Sequence, residues 1–458
     1  MNVKQILGLS SHYILNNVNV IKPGGKILKN ASVEIAKGKI VKVGEAIKDR
    51  TAVKANDIEN SAIRSDGSKV EIVDLKGNYL MPGLIDAHTH FAGGRGNGDY
   101  ADTDILSEKK DVRVMRSVYE SQKMLKYGFT AARDVSWNSL YLKRIFAAGH
   151  MPGPKIVACG PGLARTGGHC DSPQFPLEFV RENHFWAILA DGEDECRKGV
   201  RTILREGADQ IKYWGSGGDN WGTEKASDTH YTFEEMKAIC EEAHMIEGTR
   251  VLAHAGTPHS IKLSLEAGAD SIEHGSLLTD ELACFMAENG RYLVPTLYLI
   301  AGWYERAASS EAEVFKPLRP FPFLQRDINT GFDESETWEA SVAESFGYAL
   351  KRGVKIALGS DTVYEPIMEF GVCSIEEYKA LIKYGMTIPQ AIDAATIIAA
   401  EVLGLAHRIG SIEEGKEADM VVIETNPFDD IAAFDCPDKI KWVFLDGKPV
   451  VWDGRLMW

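Results

Sequence analysis

Short apolar runs alternate with amphipathic stretches through the middle of this 458-residue chain, and this alternation constrains the fold more than any other feature. The intervening stretches, such as FEEMKAICEEAHMIEG and IEEYKALIKYG, carry charges on one face, as helices packed on a sheet do. Glycines stand where such helices end before a strand, at Gly128, Gly207, Gly268, Gly290 and Gly353. The eight apolar runs are Leu84–Ala87, Phe129–Val135, Lys155–Cys159, Gln210–Trp214, Val251–Ala255, Ser271–Glu273, Tyr292–Leu297 and Lys355–Leu358. Eight strands alternating with helices predict an α/β fold of the TIM (β/α)8 barrel type.

Both ends of the chain are rich in β-like segments. Near the N-terminus two such segments flank the turn Lys37-Gly38, and near the C-terminus Asp446-Gly447 separates two apolar runs, which is a strong hairpin signal. Two β-rich ends around an α/β middle predict one small β-sandwich domain formed from both chain termini. The expected domains are residues 1–80 and 408–458 for the sandwich and residues 81–407 for the barrel.

Charge and composition indicate which kinds of molecule the protein can bind. The chain has 51 basic and 66 acidic residues and a net charge of −15, which is unfavourable for binding a phosphate backbone. Its 44% hydrophobic and 26% charged residues are typical of a globular protein with a sizeable core. The seven cysteines are dispersed without a CxxC pair, and no stretch approaches the about 20 apolar residues of a membrane span. We therefore expect a cytoplasmic protein that acts on a small-molecule substrate, with no nucleic acid and no membrane as partner.

The first apolar run of the barrel ends in Asp86-Ala87-His88-Thr89-His90. Residues two apart in a strand face the same side, so His88 and His90 converge. In isolation such a pair is either a metal site or two ordinary loop histidines. Four more residues with metal-binding chemistry lie within or just after later runs, namely Lys212, His254, His274 and Asp361. Because barrel enzymes place their chemistry at the carboxyl ends of the strands, these six residues predict a divalent-metal site.

Lys212 lies inside the apolar run QIKYW. An ammonium group there is costly unless it is neutralised or paired. One interpretation is a buried salt bridge. The other is a lysine carbamylated by CO2, which turns the cation into a carboxylate that can bridge two metal ions.

The motifs PGLIDAHTH, GFTAARD, TGGH, VLAHAGTPHSI and SIEHG resemble those of the amidohydrolase superfamily, in its imidazolonepropionase-like branch. That branch includes prolidase-like dipeptidases, ochratoxinase-like amidases and hydrolases of phenylurea and thiocarbamate herbicides. The flanking stretches GKIVKVG and GSIEEGKEADMVVIE are similar to its β-sandwich segments, so the resemblance spans nearly the whole chain. It implies two divalent ions, zinc with manganese or cobalt as alternatives, bridged by Lys212 carbamylated by CO2. The ligands that it implies are His88, His90 and Asp361 for one ion and His254 and His274 for the other.

This ligand set implies hydrolysis of an amide-type C–N bond through attack of a metal-bridging hydroxide. Asp361 would accept the proton of the water and pass it to the leaving nitrogen. His169, in TGGH, contacts the substrate or fixes its loop. Tyr231 resembles a tyrosine that polarises the substrate carbonyl in prolidase-like enzymes, with a packing role as the alternative. Glu273, beside His274, is expected to face the opposite side of its strand and to support the site without binding metal.

Two long stretches interrupt the barrel rhythm, Cys170–Ala190 and Ala301–Glu334, and loops of that length are usually functional. The second is rich in aromatic residues, which either line an apolar pocket or anchor the loop or an oligomer contact. If the substrate carries a carboxylate, an arginine should receive it, and Arg165 and Arg95 are the candidates. The loops themselves contain no readable specificity motif.

Two substrate hypotheses follow from the resemblance. The first is a dipeptide or an N-acyl amino acid, and the alternative is an aryl urea or (thio)carbamate. A third hypothesis, a non-catalytic scaffold, conflicts with the sequence because such relatives lack several ligands, whereas all six positions are filled here. The resemblance also implies a homo-oligomer.

Overall fold

The structure is a computed structural model that describes residues 12–46, 61–63, 69–94, 108–173, 175–183, 186–218, 224–301, 336–363 and 368–457. The predicted carboxylate-binding candidate Arg95 and most of the aromatic stretch Ala301–Glu334 lie outside the described residues. Within these ranges, no helix combines the length and the apolar character that crossing a bilayer requires.

The strands form an N-terminal, a central and a C-terminal group. The N-terminal strands are β1 (His12–Lys22), β2 (Lys26–Ala36), β3 (Lys39–Glu45), β4 (Ser61–Ile63), β5 (Lys69–Asp74) and β6 (Tyr79–Pro82). The central strands are β7 (Leu84–His90), β8 (Phe129–Asp134), β9 (Lys155–Ala158), β10 (Gly162–Ala164), β11 (Ala187–Leu189), β12 (Gln210–Trp214), β13 (Arg250–Ala255), β14 (Ser271–His274), β15 (Tyr292–Val294), β16 (Lys355–Ile356) and β17 (Thr362–Val363). The C-terminal strands are β18 (Met420–Ile423), β19 (Ile440–Leu445), β20 (Lys448–Trp452) and β21 (Arg455–Leu456).

The helices lie between and after the central strands. They are α1 (Lys110–Lys126), α2 (Ser139–Ala147), α3 (Leu177–Asn183), α4 (Gly192–Arg205), α5 (Phe233–His244), α6 (Pro258–Ala267), α7 (Asp280–Glu288), α8 (Leu297–Ile300), α9 (Glu336–Arg352), α10 (Val372–Lys383), α11 (Ile388–Ala394) and α12 (Ile397–Val402). The five glycines predicted to end helices all have positive φ, and Gly268 caps α6 directly with φ 111°. The prediction that helices end at these glycines is confirmed.

The N-terminal and C-terminal strands share one ten-stranded sheet, which runs β21-β20-β19-β18-β6-β1-β2-β3 with β5 beside β1 and β4 beside β5. Strand β18 pairs antiparallel with β6, so the two ends of the chain join at the centre of the sheet. Strands from both ends of the chain thus form one sheet. Its inner core contains Leu15, Val20, Val33, Met420 and Phe444.

Both predicted hairpins form with two-residue turns. Lys37 and Gly38 connect β2 to β3 with φ of 51° and 79°, and Asp446 and Gly447 connect β19 to β20 with φ of 47° and 69°. Positive φ at both central positions is the geometry of a type I′ turn, whose twist matches that of the flanking strands.

The central strands form two parallel sheets. One has seven strands in the order β11-β10-β12-β13-β14-β15-β16, and the other has four in the order β17-β7-β8-β9. All eight predicted barrel strands are present, as β7, β8, β9, β12, β13, β14, β15 and β16. Strands β10, β11 and β17 were not predicted, because each spans only two or three residues and none stands out as an apolar run.

Backbone hydrogen bonds cross both junctions between the two parallel sheets. Ala87 N donates to Leu358 O at 2.8 Å beside β16, and Asp209 N donates to Ala158 O at 2.7 Å beside β9. The strand pairing is nonetheless interrupted at both places, and in the described part of the chain it does not close into one barrel. The architecture shown is therefore α/β with parallel sheets.

Helix α12 covers the amino ends of the parallel strands. The carbonyl of Val402, its last residue, accepts hydrogen bonds from Gln210 at 3.1 Å and Arg250 at 3.4 Å, which are the first residues of β12 and β13. Apolar side chains of α12 pack against strand residues such as Ile85 and Val294. The amino ends are thereby closed, which leaves the carboxyl ends to form a site.

Candidate metal centre

His88, His90 and Asp361 meet at the carboxyl ends of the strands. The Asp361 backbone N donates to His88 O at 2.8 Å, and this bond ties the turn after β16 to β7. Asp361 Oδ1 then lies 2.9 Å from His90 Nε2 and 3.4 Å from His88 Nε2. One ligand atom from each residue lies within 4.8 Å of the other two, a spacing that can hold a metal ion. The structure thus brings together the three residues predicted for one ion.

The hydrogen-bond partners of the two Nδ1 atoms orient the rings of His88 and His90 so that both Nε2 atoms face Asp361. His88 Nδ1 donates to Glu273 Oε2 at 2.6 Å, and His90 Nδ1 donates to the Val135 carbonyl at 2.8 Å. With Nδ1 protonated, a neutral imidazole presents the Nε2 lone pair, which is the form that binds a metal. Burial lowers the pKa of His88 well below its usual value, so its ring is neutral.

The carboxylate of Asp361 stays ionised in this group. Burial by itself raises the pKa of the carboxyl, but the close approach of His88 and His90 holds it well below its ordinary value. A carboxylate beside two imidazole nitrogens is a donor set that suits zinc and similar divalent ions. The residues present therefore fit a metal ion.

His254 and His274 lie next to this group. Their ring centroids are 4.4 Å apart, and the His274 ring lies 5.5 Å from that of His88. His274 Nδ1 hydrogen-bonds with Thr296 Oγ1 at 2.7 Å, which leaves Nε2 for a ligand. Burial lowers the pKa of His254 well below its usual value and that of His274 to about 4. The two residues predicted for a second ion are therefore adjacent, neutral and close to the first three.

Glu273 faces the site together with His274, so the expectation that neighbours on β14 face opposite sides is wrong. The reason is the backbone of His274, whose φ of 70° turns its side chain away from the regular alternation of a strand. Glu273 is fully buried and its carboxylate pairs with Arg133 at 2.7 Å as well as with His88. Glu273 therefore supports the His88 ring as expected, but it faces the same side of β14 as His274.

Lys212 is buried on β12 and directed toward the same site. Its ammonium nitrogen lies 5.6 Å from the ring centroid of Trp214, and it lowers the pKa of His88, His254 and His274, which places its charge near all three. Among the described residues no carboxylate lies within 4.0 Å of it, so the buried salt bridge is not seen there. Burial lowers the pKa of Lys212, although Glu273 and Asp361 partly oppose this.

His169 lies at the edge of this group, with its ring centroid 4.8 Å from that of His254. Its Nδ1 donates to Glu224 Oε1 at 2.5 Å. The loop after β12 packs on the ring, because a Cβ at Gly218 would lie only 2.5 Å from His169 Cε1. Gly218 is therefore in close contact with His169.

Tyr231 is in a packing position. Its hydroxyl donates to the Ala190 carbonyl at 3.2 Å, its ring lies edge-on to Tyr213 at 6.2 Å, and it belongs to the apolar core. The structure thus shows the packing contacts of Tyr231, and its role toward a substrate carbonyl stays a prediction. The residue before it, His230, accepts a hydrogen bond from the backbone N–H of His169.

Several residues that hold the site were not identified from the sequence. They are Arg133, Glu224, His230 and Thr296. Arg133 carried a usable signal, since it lies within the apolar run Phe129–Val135 just as Lys212 lies within its own. Glu224 and His230 carried none, because they lie in a loop where charged and polar residues are ordinary.

Comparison with known proteins gives consistent results. Residues 79–450 match the amidohydrolase family. The chain is 30% identical over 445 residues to the ochratoxinase of Aspergillus niger, with 93% of this chain and 84% of that protein covered. It is 25% identical over 462 residues to the imidazolonepropionase of Kosmotoga olearia, with 91% and 93% covered.

Solved structures extend the similarity to the fold. The crystal structure of the A. niger ochratoxinase matches with a TM-score of 0.79 at 27% identity and covers 97% of this chain and 96% of that one. A prolidase complexed with N-methylphosphonate-L-proline matches with a TM-score of 0.78 at 26% identity, with 96% and 100% covered.

Proposed function

Because this chain belongs to the amidohydrolase family, in its imidazolonepropionase-like branch, it is a hydrolase of amide bonds, and we propose that its catalysis depends on divalent metal ions. The observation that carries the proposal is the convergence of His88, His90 and Asp361, whose ligand atoms lie within 4.8 Å of one another. Neutral imidazoles and a carboxylate suit Zn²⁺, and Mn²⁺ or Co²⁺ would fit the same set.

We propose that His254 and His274 would hold a second ion, and that Lys212 carbamylated by CO2 would be a ligand as well. Burial of the Lys212 side chain lowers its pKa and so increases the fraction present as neutral amine. The neutral amine can add to CO2: its nitrogen forms a bond to carbon, the electron pair of one C=O bond moves to oxygen, one N–H proton passes to water, and the side chain becomes an anionic carbamate. The change replaces a buried cation among three histidines with a group that attracts metal ions.

When bound, the ions would lower the pKa of a water molecule and polarise the scissile carbonyl. Asp361, ionised before the reaction, would accept a proton from the attacking water and deliver it to the leaving nitrogen. His169 contacts the substrate beside the metal ligands, and Glu273 keeps the His88 ring oriented.

As substrate we propose a dipeptide or an N-acyl amino acid. Two observations support this class. The similar proteins include an ochratoxinase and a prolidase complexed with a proline phosphonate. In addition, Arg165 lies near His230, and its Nε is buried without a hydrogen-bond partner among the described residues. A guanidinium with an unpaired donor near His230 can receive the free carboxylate of such a substrate.

We further propose that the two parallel sheets are parts of one (β/α)8 barrel in residues 81–407, with residues 1–80 and 408–458 as a β-sandwich domain. The hydrogen bonds across both sheet junctions support this arrangement. A cytoplasmic homo-oligomer is the proposed state of the protein.

A hydrolysis screen on the purified protein, paired with metal analysis, tests the function. Dipeptides and N-acyl amino acids are set against aryl ureas and thiocarbamates. We expect the wild type to turn over the first group of substrates. His88→Ala should lose metal and should lose turnover at least about 100-fold, because changes to the ligands of a metal site or to their partners have effects of this order. His244→Ala is the matched control, because His244 is partly exposed and pairs only with Asp270 among the charged residues described.

Two outcomes would contradict the proposal at different points. Turnover of aryl ureas alone would reject the substrate class and leave the metal chemistry intact. Undiminished turnover by His88→Ala, or by protein freed of metal with a chelator, would reject metal dependence itself.

A further inference from the structure

Glu224 lies between two histidines at the edge of the metal centre. Its Oε1 accepts from His169 Nδ1 at 2.5 Å, and its Oε2 lies 3.4 Å from His230 Nε2. The Glu224 side chain is only 2% exposed. We call His169, Glu224 and His230 the Glu224 cluster.

His230 connects the cluster to the backbone of the TGGH loop. The backbone N–H of His169 donates to His230 Nδ1 at 3.0 Å, so this nitrogen carries no proton. Burial lowers the pKa of His230 to about 4, and the ring is therefore neutral with its proton on Nε2, on the side of Glu224. Neither His230 Nε2 nor Glu224 Oε2 has an aligned hydrogen bond among the described residues.

The cluster determines how His169 faces the metal centre. A carboxylate that accepts from Nδ1 fixes the proton there, which leaves Nε2, on the other side of the ring, as a hydrogen-bond acceptor. Gly218 blocks one face of the ring and the His254 ring is 4.8 Å away. The ring is thus held both in tautomer and in orientation, as the imidazole of a catalytic triad is held by its buried aspartate.

We infer that Glu224 is a positioning residue, which acts on the reaction by fixing the tautomer and orientation of His169. The expected effect on kcat rests on the proposed function, because it requires that the enzyme hydrolyses an amide bond. Glu224 acts through His169, whose Nε2 is thereby given the role of accepting a hydrogen bond from the substrate.

Kinetics of a double-mutant cycle test this inference on the metal-loaded enzyme. We expect Glu224→Gln to lower kcat about 10- to 100-fold, as loss of an orienting partner does elsewhere, with KM changed far less. His169→Asn should lower kcat at least as much, and the double variant should be no slower than His169→Asn alone. Glu224→Asp, which keeps the charge, should recover part of kcat. Glu234→Gln, an exposed change on the next helix, is the control.

A spectroscopic measurement tests it without turnover. In protein labelled with 15N-histidine, the His169 signals, assigned by their loss in His169→Asn, should show a protonated Nδ1 and an unprotonated Nε2. In Glu224→Gln these shifts should move toward a mixture of tautomers.

Normal kcat in Glu224→Gln, multiplied losses in the double variant, or an unchanged 15N spectrum would each overturn the positioning role and leave Glu224 as a loop anchor. Absence of amide hydrolysis by the wild-type enzyme would instead reject the proposed function, and the 15N result would still decide whether Glu224 fixes the His169 tautomer.

Discussion

The carboxylate of Glu273 contacts both a buried arginine of the core and a histidine of the metal centre. It is fully buried, pairs with the guanidinium of Arg133, and accepts from His88 Nδ1. Arg133 in turn donates to the Ala87 carbonyl at 2.6 Å and so reaches the strand that carries His88. A buried ion pair of this kind contributes little net stability, but removing one charge leaves the other uncompensated.

We expect Glu273→Gln to destabilise the protein by about 3–5 kcal/mol, because Arg133 would keep a buried charge without its counter-ion. The same change should weaken metal binding about 10- to 100-fold, since His88 loses its charged orienting partner. Urea unfolding and titration with a metal chelator measure the two effects. Glu266→Gln, on the surface beside Lys262, should change stability by less than about 0.5 kcal/mol. Equal stability and metal affinity in Glu273→Gln would contradict this account of the residue.

The metal ligands could be predicted from the sequence because each is a polar or charged side chain at a position, in or near an apolar run, where such side chains are rare. Histidine, lysine or aspartate at or near the end of an apolar run is unusual, and the strand alternation brings His88 and His90 together. The partners of these residues could not be predicted in the same way. Glu224 meets His169 across 55 residues of chain, and the positive φ of His274 follows from no local pattern.

Among the elements, the short helix α8 depends on one buried side chain. The carboxylate of Glu377, on α10, accepts from the backbone N–H groups of Leu297 at 3.0 Å and Tyr298 at 2.6 Å. These are orphan donors at the start of a helix, just after Thr296, the partner of His274. Burial disfavours the ionised form of this carboxyl group and raises the pKa of Glu377 to about 8, although the two hydrogen bonds oppose this rise.

This pKa predicts a pH dependence of stability. The folded-state pKa of Glu377, about 8, exceeds its ordinary value of 4.5, so the folded state binds the extra proton between these values. The contribution of the group to stability is complete below about pH 4.5 and is lost as the pH rises through about 8.

Glu377→Gln should therefore gain stability relative to the wild type as the pH rises from about 5 to about 9, because glutamine stays neutral throughout. Denaturant unfolding at several pH values gives the difference between the two proteins. Glu376→Gln removes a neighbouring, more exposed carboxylate that pairs with Lys379, and its difference from the wild type should stay nearly constant over this range. A pH-independent difference for Glu377→Gln would show that the carboxyl group titrates as an ordinary glutamate.

At the scale of the whole molecule, the order of the strands along the chain could be predicted from the spacing of apolar runs and turns in the sequence. Eight apolar runs predicted eight strands and the two hairpin turns predicted the terminal sheet, because both depend on local spacing. The extra strands β10, β11 and β17 depend on neighbours in space and have no such signal. Closure into a barrel is likewise a tertiary property, and here hydrogen bonds at both junctions link two separate parallel sheets.

Metal content per chain in the wild type and in Lys212→Ala, measured together with amide hydrolysis, tests the central claim most directly. The account predicts two divalent ions in the wild type and a joint loss of metal and turnover in the variant. It also predicts partial recovery when a short carboxylic acid is added, since the acid can replace the bridging carbamate. A Lys212→Ala protein that kept two ions and normal turnover would contradict the bridged site.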